Sequence, residues 1–330
     1  MNNVGIIGSG FWGTAIAIQL AKNIKTVTLY TKSKIKSDQI NNTHINDSCF
    51  PDIKLPNNIV ADNYIKNVGK EDIIVIVVPC SVFDSIIKSI SPYVVKNVII
   101  VIATKGLSEQ TENLLHESVE KSLNTQNVAV VAGPNLATEV AQNLITSMVI
   151  ASKNLTLANS LAKIFTTDTI TVFPSNDLIT VQISSAMKNI IAIASGIIKG
   201  LNYGNNAQAF LISRAVEEII TISQKLGNLA VKALQPEAMG DLILTATSMQ
   251  SRNMRFGYNL AKSDNPERFL SEQTSLIEGL NAISLIHRIT NQHSLQLPIS
   301  GTIIKIIKHP KDLKSYIKKM FQDIKSRTLI

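Results

Sequence analysis

A glycine-rich turn near the start of the chain limits the possible folds more than any other sequence feature. The turn has the sequence GSGFWG and occupies residues 8–13. It follows a β-branched run at residues 4–7, and it precedes a segment with helix-compatible spacing at 14–22 and a second apolar run at 26–30. A strand, a GxGxxG turn, a helix and a second strand in this order are typical of a βαβ unit with a parallel sheet. The sequence therefore predicts an α/β fold in this part of the chain.

Each glycine of the turn has its own steric task in such a Rossmann βαβ unit. Gly8 permits the tight turn, Gly10 lets the backbone approach a pyrophosphate, and Gly13 lets the helix pack closely on the strand. The anion then lies at the helix N-terminus, where backbone N–H groups point at it. We therefore predict that residues 8–13 bind the pyrophosphate of a nicotinamide dinucleotide.

The end of the second predicted strand bears on which dinucleotide binds. An NAD-specific unit usually carries Asp or Glu there to bind the ribose 2′-hydroxyl, whereas this chain has the sequence YTKSK at residues 30–34. Lys32 would attract a 2′-phosphate, so we expect the chain to accept NADP as well as NAD. The missing carboxylate also argues against FAD. A surface lysine without a ligand is the alternative interpretation of Lys32.

The distribution of apolar residues predicts two domains. The chain has 330 residues, 45% of them hydrophobic and 17% charged, which is enough apolar material for more than one core. Short β-branched runs alternate with polar segments up to about residue 154, and 3.6-residue periodicity dominates after residue 180. We predict an α/β Rossmann domain at residues 1–178 and a mainly α-helical substrate and catalytic domain at 179–330, with Pro174 marking the boundary. The predicted strands cover residues 4–7, 26–30, 73–78, 98–103, 128–132 and 148–151, and long predicted helices cover residues 181–199, 207–225 and 276–291.

Composition argues against several classes of protein. The apolar stretch at residues 179–201 contains polar side chains and Lys188, which disfavours a membrane span. Residues 1–13 lack the basic region of a signal peptide, so we expect a cytoplasmic location. The two cysteines form no CxxC pair and the five histidines are scattered, so we predict neither a disulfide framework nor a metal site.

The net charge of +8 is concentrated near the end of the chain. Residues 302–330 carry eight Lys or Arg and two Asp, which is 8 − 2 = +6. A solvated amphipathic helix is the favoured interpretation, with attraction to an anionic membrane surface as the alternative. Because few aromatic residues interleave with the basic ones, we expect no nucleic-acid partner. A phosphorylated small molecule remains a suitable partner for a basic chain.

One face of the predicted helix at 181–199 suggests a pocket. The residues at helical spacing on that face are small except for a lysine: Ser184, Ser185, Lys188, Ala192 and Ser195. A lysine among small neighbours has room for a ligand beside it. Taken alone, however, a solvated Lys188 is the simpler interpretation.

Further segments, in order along the chain, point to one family. After GSGFWG come VVP (77–79), ATKG (103–106), AGPN (132–135), MKNIIAI (187–193), GDL (240–242), SRNMRFG (251–257) and IEG (277–279). Within SRNMRFG, polar side chains suited to a phosphate precede Gly257, which we expect to stop a helix. From Val4 to Gly279 the chain resembles bacterial NAD(P)-dependent glycerol-3-phosphate dehydrogenase.

The resemblance implies a reaction and a set of site residues. The family reduces dihydroxyacetone phosphate reversibly to sn-glycerol 3-phosphate with NADH or NADPH, feeds glycerophospholipid synthesis and forms homodimers. Lys188 would be the catalytic proton donor and acceptor, and Arg252 with Asn253 would clamp the substrate phosphate. The substrate-binding positions would be Lys105, Gly133, Asn135, Lys188, Asn189, Asp241, Ser251, Arg252 and Asn253. The cofactor-binding positions would be Gly8, Ser9, Gly10, Phe11, Trp12, Gly13, Lys32, Lys105, Ala137, Arg252, Leu276 and Glu278.

The chain departs from the family pattern at several of these segments. Asn135 stands where Ser or Thr is usual, and it can still hydrogen-bond a hydroxyl group. Thr138 and Gln208 replace basic residues, which bears on phosphate affinity, and Cys80 follows VVP where serine is common. We expect altered affinity more than lost chemistry.

Two other functions are compatible with the cofactor half alone. One is a different two-domain dehydrogenase, for a hydroxyacid or a sugar phosphate, and Arg252 argues against it. The other is a redox-sensing protein that holds the dinucleotide without turnover, because a fold alone does not guarantee activity.

Overall fold

The chain forms two compact units. The structure, a computed structural model, describes residues 2–106, 108, 113–228, 234–273 and 278–327, excluding the side chains of residues 278, 281 and 325–327. The units comprise Met1–Gln182 and Ile183–Ile330. Each unit is taken by itself below.

The first unit is built on one sheet. Its strands in the described residues are β1 (Asn3–Ile7), β2 (Thr26–Tyr30), β3 (Ile59–Asp62), β4 (Ile73–Ile76), β5 (Ile99–Ile102), β6 (Val128–Ala132), β7 (Thr146–Ala151) and β8 (Ile170–Ser175). They lie in the order β3-β2-β1-β4-β5-β6-β7-β8. All neighbours are parallel except β6 and β7. The strand order reverses direction between β1 and β4, which is where ligands bind in open parallel sheets.

Helices cover both faces of this sheet. They are α1 (Phe11–Leu20), α2 (Lys34–Thr43), α3 (Cys80–Ile90), α4 (Leu115–Leu123), α5 (Ala137–Ala141) and α6 (Leu155–Phe165), with a 3₁₀ turn at Ile65–Lys70. Successive strand residues enter opposite hydrophobic clusters: Ile73 and Val75 join one, and Ile74 and Ile76 join the other. Because side chains alternate across a strand, a sheet buried on both faces needs this continuous apolar sequence.

The α/β prediction is confirmed, and it is incomplete at both edges of the sheet. The strands β3 and β8 were not predicted, since β3 has only four residues and β8 contains a proline. Residues 173–175 belong to β8. Pro174 is tolerated because β8 is an edge strand, where one missing N–H donor leaves no ladder partner unpaired. The antiparallel orientation of β7 is a second correction to an all-parallel sheet.

The described residues between 178 and 327 are mainly helical, which confirms the predicted mainly α-helical second half. Their helices are α7 (Leu178–Gly200), α8 (Asn205–Lys225), α9 (Pro236–Thr247), α10 (Arg252–Lys262), α11 (Pro266–Ser271), α12 (Glu278–Gln292), α13 (Pro298–Lys308) and α14 (Leu313–Arg327), with a 3₁₀ turn at Pro310–Asp312. On α14 the lysines Lys314, Lys318 and Lys319 are exposed, whereas Ile317 and Met320 are buried. The basic tail is thus an amphipathic helix.

The helix α7 is long and apolar enough to cross a membrane. It has 23 residues, and its most apolar window is fully buried inside the protein. Such burial is typical of a core helix, whose apolar residues meet protein on all sides.

Candidate active site

The glycine-rich turn between β1 and α1 has the geometry of an anion cradle. Gly8 has a φ of +119°, and a Cβ there would lie 2.1 Å from the carbonyl oxygen of Val77. A Cβ at Gly13 would lie 1.8 Å from the carbonyl oxygen of Gly8, whereas a Cβ at Gly10 would meet open space. No side chain caps the N-terminus of α1, so its first N–H groups are available to a phosphate. These residues fit a dinucleotide pyrophosphate.

Two aromatic residues of the turn flank this cradle. Phe11 is half exposed and packs edge-on against Phe50, with ring centroids 5.4 Å apart. The Nζ atom of Lys105 lies 5.8 Å from the centroid of the Trp12 ring, within range of a cation–π interaction. The structure therefore brings Lys105 and Trp12 together beside the turn.

A hydrogen bond from a cysteine holds the ATKG loop that carries Lys105. The thiol of Cys80 donates to the carbonyl oxygen of Lys105 at 3.0 Å. Gly106 has a φ of +122°, and a Cβ there would lie 2.7 Å from Cys80 Sγ. Cys80 is only partly buried, and its thiol contacts this loop.

The end of β2 presents Lys32 to solvent. Thr31 is buried, Lys32 is exposed, and the hydroxyl of Ser33 caps α2 by accepting from the backbone N–H of Lys36. A second lysine reaches the glycine-rich turn itself, because Lys36 Nζ lies 2.9 Å from the carbonyl oxygen of Ser9. Sequence reasoning missed Lys36, since the contact joins residues 27 positions apart.

The AGPN loop after β6 holds Asn135 firmly. Its Nδ2 atom donates to Thr146 Oγ1 at 2.9 Å and to the carbonyl oxygen of Ser147 at 3.1 Å. Gly133 has a φ of +156°, and a Cβ there would lie 2.5 Å from the Ser147 carbonyl oxygen. Both amide protons of Asn135 are thus engaged by the start of β7, which leaves Oδ1 as the side-chain atom that could accept from another donor. Ala137 begins α5 directly after this loop.

In the second unit, Lys188 forms a buried ion pair. Lys188 and Asp241 are each 3% exposed, and Lys188 Nζ donates to Asp241 Oδ1. The hydroxyl of Thr245 lies 3.4 Å from the same Oδ1 and donates to the Asp241 backbone carbonyl at 2.6 Å. The interpretation of Lys188 as a solvated lysine is therefore wrong. Burying two charges is costly unless each is paired and hydrogen-bonded, as they are here.

Asn189, which follows Lys188 on α7, takes part in a chain of hydrogen-bonded amide groups. Asn253 Nδ2 donates to Asn189 Oδ1 at 3.0 Å, and Asn253 Oδ1 accepts from the backbone N–H of Gly279 at 2.9 Å. Both asparagines are buried. Asn253 thus links α7, α10 and the start of α12.

The N-terminus of α10 faces outward. The hydroxyl of Ser251 caps the helix by accepting from the N–H of Met254 at 3.3 Å. Arg252 is the first residue of the helix and is exposed. A guanidinium at a helix N-terminus combines a charged fork with outward N–H groups, an arrangement suited to a phosphate.

Two glycines allow α7 and α10 to touch. A Cβ at Gly196 would lie 2.1 Å from the carbonyl oxygen of Met254, and one at Gly257 would lie 2.1 Å from that of Ile193. This close approach lets the short side chains of Asn189 and Asn253 meet. Gly257 lies inside α10, so its prediction as a helix stop is wrong.

The predicted site residues fall into two sets, one in each unit. The first set is Gly8, Ser9, Gly10, Phe11, Trp12, Gly13, Lys32, Lys105, Gly133, Asn135 and Ala137, and the second is Lys188, Asn189, Asp241, Ser251, Arg252 and Asn253. Leu276 and the side chain of Glu278 lie outside the described residues. Among the residues that are described, no three His, Cys, Asp or Glu side chains cluster as a metal site would require.

Gln208 shows how one departure from the family pattern is accommodated. Its Nε2 atom donates to Ser195 Oγ at 2.9 Å, and Ser195 in turn donates to the carbonyl oxygen of Ala246 at 2.5 Å. The Gln208 amide thereby links α8 to α7 and α9, whereas the basic residue that is usual at this position would carry a charge.

Comparison with known proteins places the chain in a family. Residues 3–158 match the model for the N-terminus of NAD-dependent glycerol-3-phosphate dehydrogenase, and residues 177–318 match the model for its C-terminus. The chain is 34% identical over 327 residues to the glycerol-3-phosphate dehydrogenase [NAD(P)+] of Orientia tsutsugamushi, covering 98% of this chain and 99% of that protein. It is 35% identical over 309 residues to the enzyme of that name from Rickettsia prowazekii, covering 92% and 98%.

A solved structure gives the same result. The crystal structure of glycerol-3-phosphate dehydrogenase from Coxiella burnetii superposes with a TM-score of 0.85 and 31% identity, covering 97% of this chain and 98% of that one. The matches extend over both units. The chain therefore belongs to the NAD(P)-dependent glycerol-3-phosphate dehydrogenase family and is an oxidoreductase that uses NAD or NADP.

Proposed function

We propose that the enzyme reduces dihydroxyacetone phosphate to sn-glycerol 3-phosphate, reversibly, with Lys188 as the proton donor. The observation that carries the proposal is the buried ion pair between Lys188 and Asp241, because a charged pair in a helical core needs a reason to be kept there. The product, sn-glycerol 3-phosphate, is a precursor of glycerophospholipids, and we assign the enzyme to glycerophospholipid synthesis. The homodimer and the cytoplasmic location stay predictions.

The reaction needs a proton at one atom. When bound, the reduced nicotinamide supplies a hydride to the carbonyl carbon of the substrate. The carbonyl oxygen then needs a proton, which Lys188 gives from its ammonium group, and Lys188 regains one from solvent. In the reverse direction Lys188 takes the proton from the hydroxyl. Charge and atoms balance, since a ketone, a hydride and a proton make one alcohol.

Asp241 keeps the lysine ready for this task. Its carboxylate accepts a hydrogen bond from the ammonium group and fixes that group in one position. The hydroxyl of Thr245 in turn contacts the carboxylate. Positioning a proton donor in this way lowers the entropic cost of reaching the transition state.

The N-terminus of α10 is the proposed phosphate site. Arg252 supplies the guanidinium, and the first-turn N–H groups of α10 add a partial positive charge. Since both ends of the Asn253 amide are engaged by Asn189 and Gly279, Asn253 acts in this clamp through its backbone N–H and by holding Asn189 in place. In the first unit, Lys105 and Asn135 Oδ1 would bind the substrate's polar groups.

A spectrophotometric assay tests the proposal. Purified enzyme is mixed with dihydroxyacetone phosphate and NADH or NADPH, and the loss of nicotinamide absorbance is followed. We expect substrate-dependent oxidation with both cofactors. Arg252→Ala should raise KM about 100-fold, because a charge-assisted contact to phosphate is lost. Lys262→Ala removes a cation from the last turn of the same helix and should leave KM unchanged.

Two results would contradict the proposal. Absence of substrate-dependent oxidation with either cofactor would exclude the reaction. An equal rise of KM in the Arg252 and Lys262 variants would show that only the net charge matters, and would remove the phosphate site from α10.

A further inference from the structure

A second cation stands at the glycine-rich turn. Lys36 is the third residue of α2, and its Nζ atom lies 2.9 Å from the carbonyl oxygen of Ser9 and 2.9 Å from Ser48 Oγ. Its side chain is partly buried. The ammonium group therefore bridges the helix that follows β2 and the turn that follows β1.

The atoms around Lys36 are held by a polar network. Asn46, which is fully buried, donates from Nδ2 to the carbonyl oxygen of Ser9 at 3.1 Å and to Thr14 Oγ1 at 2.8 Å. Ser48 donates to Asn46 Oδ1 at 2.9 Å, so its hydroxyl oxygen is left to accept from Lys36. The hydrogen bonds that join Lys36, Ser48, Asn46 and the Ser9 carbonyl thus have defined directions.

The turn does not need Lys36 for its own hydrogen bonding. Asn46 already satisfies the Ser9 carbonyl, and a neutral side chain at position 36 would leave that bond in place. An ammonium group has three protons, of which Ser9 and Ser48 take two. Among the residues that the structure describes, no carboxylate lies within ion-pair distance of Lys36. Its charge is therefore held at the turn without being neutralised there.

The position of this charge matches one part of a dinucleotide. In a Rossmann unit the adenosine ribose lies between the first glycines of the turn and the end of β2, and a basic residue there accommodates a 2′-phosphate. The backbone of Lys36 lies in the segment after β2, and its side chain ends at the glycine-rich turn. Lys32, at the strand end, is exposed and no described contact fixes it in place.

We propose that Lys36 recognises the 2′-phosphate of NADP and determines how strongly the enzyme prefers NADP over NAD, with Ser48 as its positioning residue. The third proton of the ammonium group donates to a phosphate oxygen. This inference rests on the proposed function only in that the same turn must bind the dinucleotide.

Equilibrium binding tests the proposal with two probes that differ in the 2′-phosphate alone. NADPH and NADH are titrated by calorimetry into the enzyme and into its variants Lys36→Met, Lys36→Arg, Ser48→Ala and Lys32→Met. Lys36→Met keeps the aliphatic stem and should weaken NADPH about 10- to 100-fold, as for the loss of one charge-assisted hydrogen bond. NADH should change less than about twofold, because its 2′-hydroxyl carries no charge.

The other variants separate charge from structure. Lys36→Arg should retain most of the discrimination, and Ser48→Ala should lose part of it without removing any charge. Lys32→Met is the matched control, because it removes the charge of the exposed lysine directly after β2. It should weaken NADPH binding less than Lys36→Met does. Thermal melting of each variant checks that the fold is kept, and Ser48→Ala alone decides if Lys36→Met does not fold.

Three results would overturn the proposal. They are wild-type enzyme that binds NADPH no more tightly than NADH, an equal loss of both in Lys36→Met, and a larger NADPH loss in Lys32→Met. Failure of the proposed function would show differently, as wild-type enzyme that does not oxidise NADH with dihydroxyacetone phosphate, a measurement in which no 2′-phosphate takes part.

Discussion

The two units build their site residues from different parts of the polypeptide. In the first unit the cradle is backbone: Gly8 and Gly13 have no room for a Cβ, and Gly10 leaves open space for a ligand. In the second unit the chemistry is carried by side chains, because Lys188 and Asp241 form an ion pair among buried helices. The first site thus depends on the absence of side chains at its glycines, and the second depends on the presence of two charged side chains.

This difference predicts how each site responds to substitution. A backbone site should still bind the pyrophosphate when a side chain at its rim changes, and it should fail when an atom is added at Gly8 or Gly13. A side-chain site should fail when one charge is removed, even if the shape is kept. Three substitutions follow in order of decreasing effect: one removes a charge from the side-chain site, one adds an atom where two helices of the second unit touch, and one changes a buried histidine of the first unit.

Asp241→Asn keeps the shape and removes the charge that holds Lys188. We expect kcat to fall about 100- to 1000-fold, since the proton donor loses its fixed position and its paired charge. Affinity for NADPH, measured by calorimetry, should stay within about twofold. Glu237→Gln makes the same chemical change at a buried carboxylate one turn earlier on α9 and should leave kcat nearly unchanged. A similar kcat loss in both variants would mean that α9 is sensitive to any such change and that Asp241 has no special part.

Gly257→Ala adds one carbon where α7 and α10 touch. The new Cβ would lie 2.1 Å from the carbonyl oxygen of Ile193, so the helices must separate. We expect a loss of about 3 kcal/mol in the free energy of unfolding, measured by urea denaturation, and a lower kcat because Asn189 and Asn253 are drawn apart. Gly301→Ala, where a Cβ would meet open space on α13, should be neutral or stabilising. Equal stability of the two variants would contradict the close packing.

His116 shows that the first unit also buries a titratable side chain, outside the predicted site set. Burial lowers its pKa to about 4 from an ordinary 6.5, with the positive charge of Lys153 adding to the effect. As the pH falls below about 6.5, the unfolded chain binds a proton that the folded chain refuses until about pH 4, so stability is lost across that interval. At pH 4, His116 has lowered the free energy of unfolding by about 3 kcal/mol relative to neutral pH.

Urea denaturation at several pH values measures this contribution. His116→Gln should have a shallower loss of stability between pH 6.5 and pH 4 than the wild-type enzyme, whereas His293→Gln, which changes an exposed histidine, should follow the wild type. Identical pH profiles for wild type and His116→Gln would show that acid acts elsewhere.

The same contrast explains how much could be predicted from the sequence. The glycine turn was predictable because its steric demands fall within about ten residues, in the fixed order of strand, turn and helix. The buried strands were predictable from continuous apolar runs. The edge strands β3 and β8 were not, since one is short and the other carries Pro174.

The side-chain site was predictable only in part. The small residues around Lys188 suggested a pocket, and in the structure Asp241 and Ala246 of α9 contact Lys188 and Ser195 on that face. The partner of Lys188 is 53 residues away, and no local spacing connects Lys188 with Asp241. Only the resemblance to a family brought Asp241 forward. For Lys36 neither signal existed, because its contact with Ser9 depends on how α2 folds back on the turn.

The most direct test of the account is the kcat of Lys188→Met with saturating dihydroxyacetone phosphate and NADPH. The double variant Lys188→Met, Asp241→Leu is measured beside it, because it leaves no lone buried carboxylate that could unfold the unit. We predict that kcat falls at least about 1000-fold in both variants, with the fold and NADPH binding retained, since the proton donor is gone. A kcat within about tenfold of the wild-type value in either folded variant would contradict the assignment of Lys188 as the proton donor.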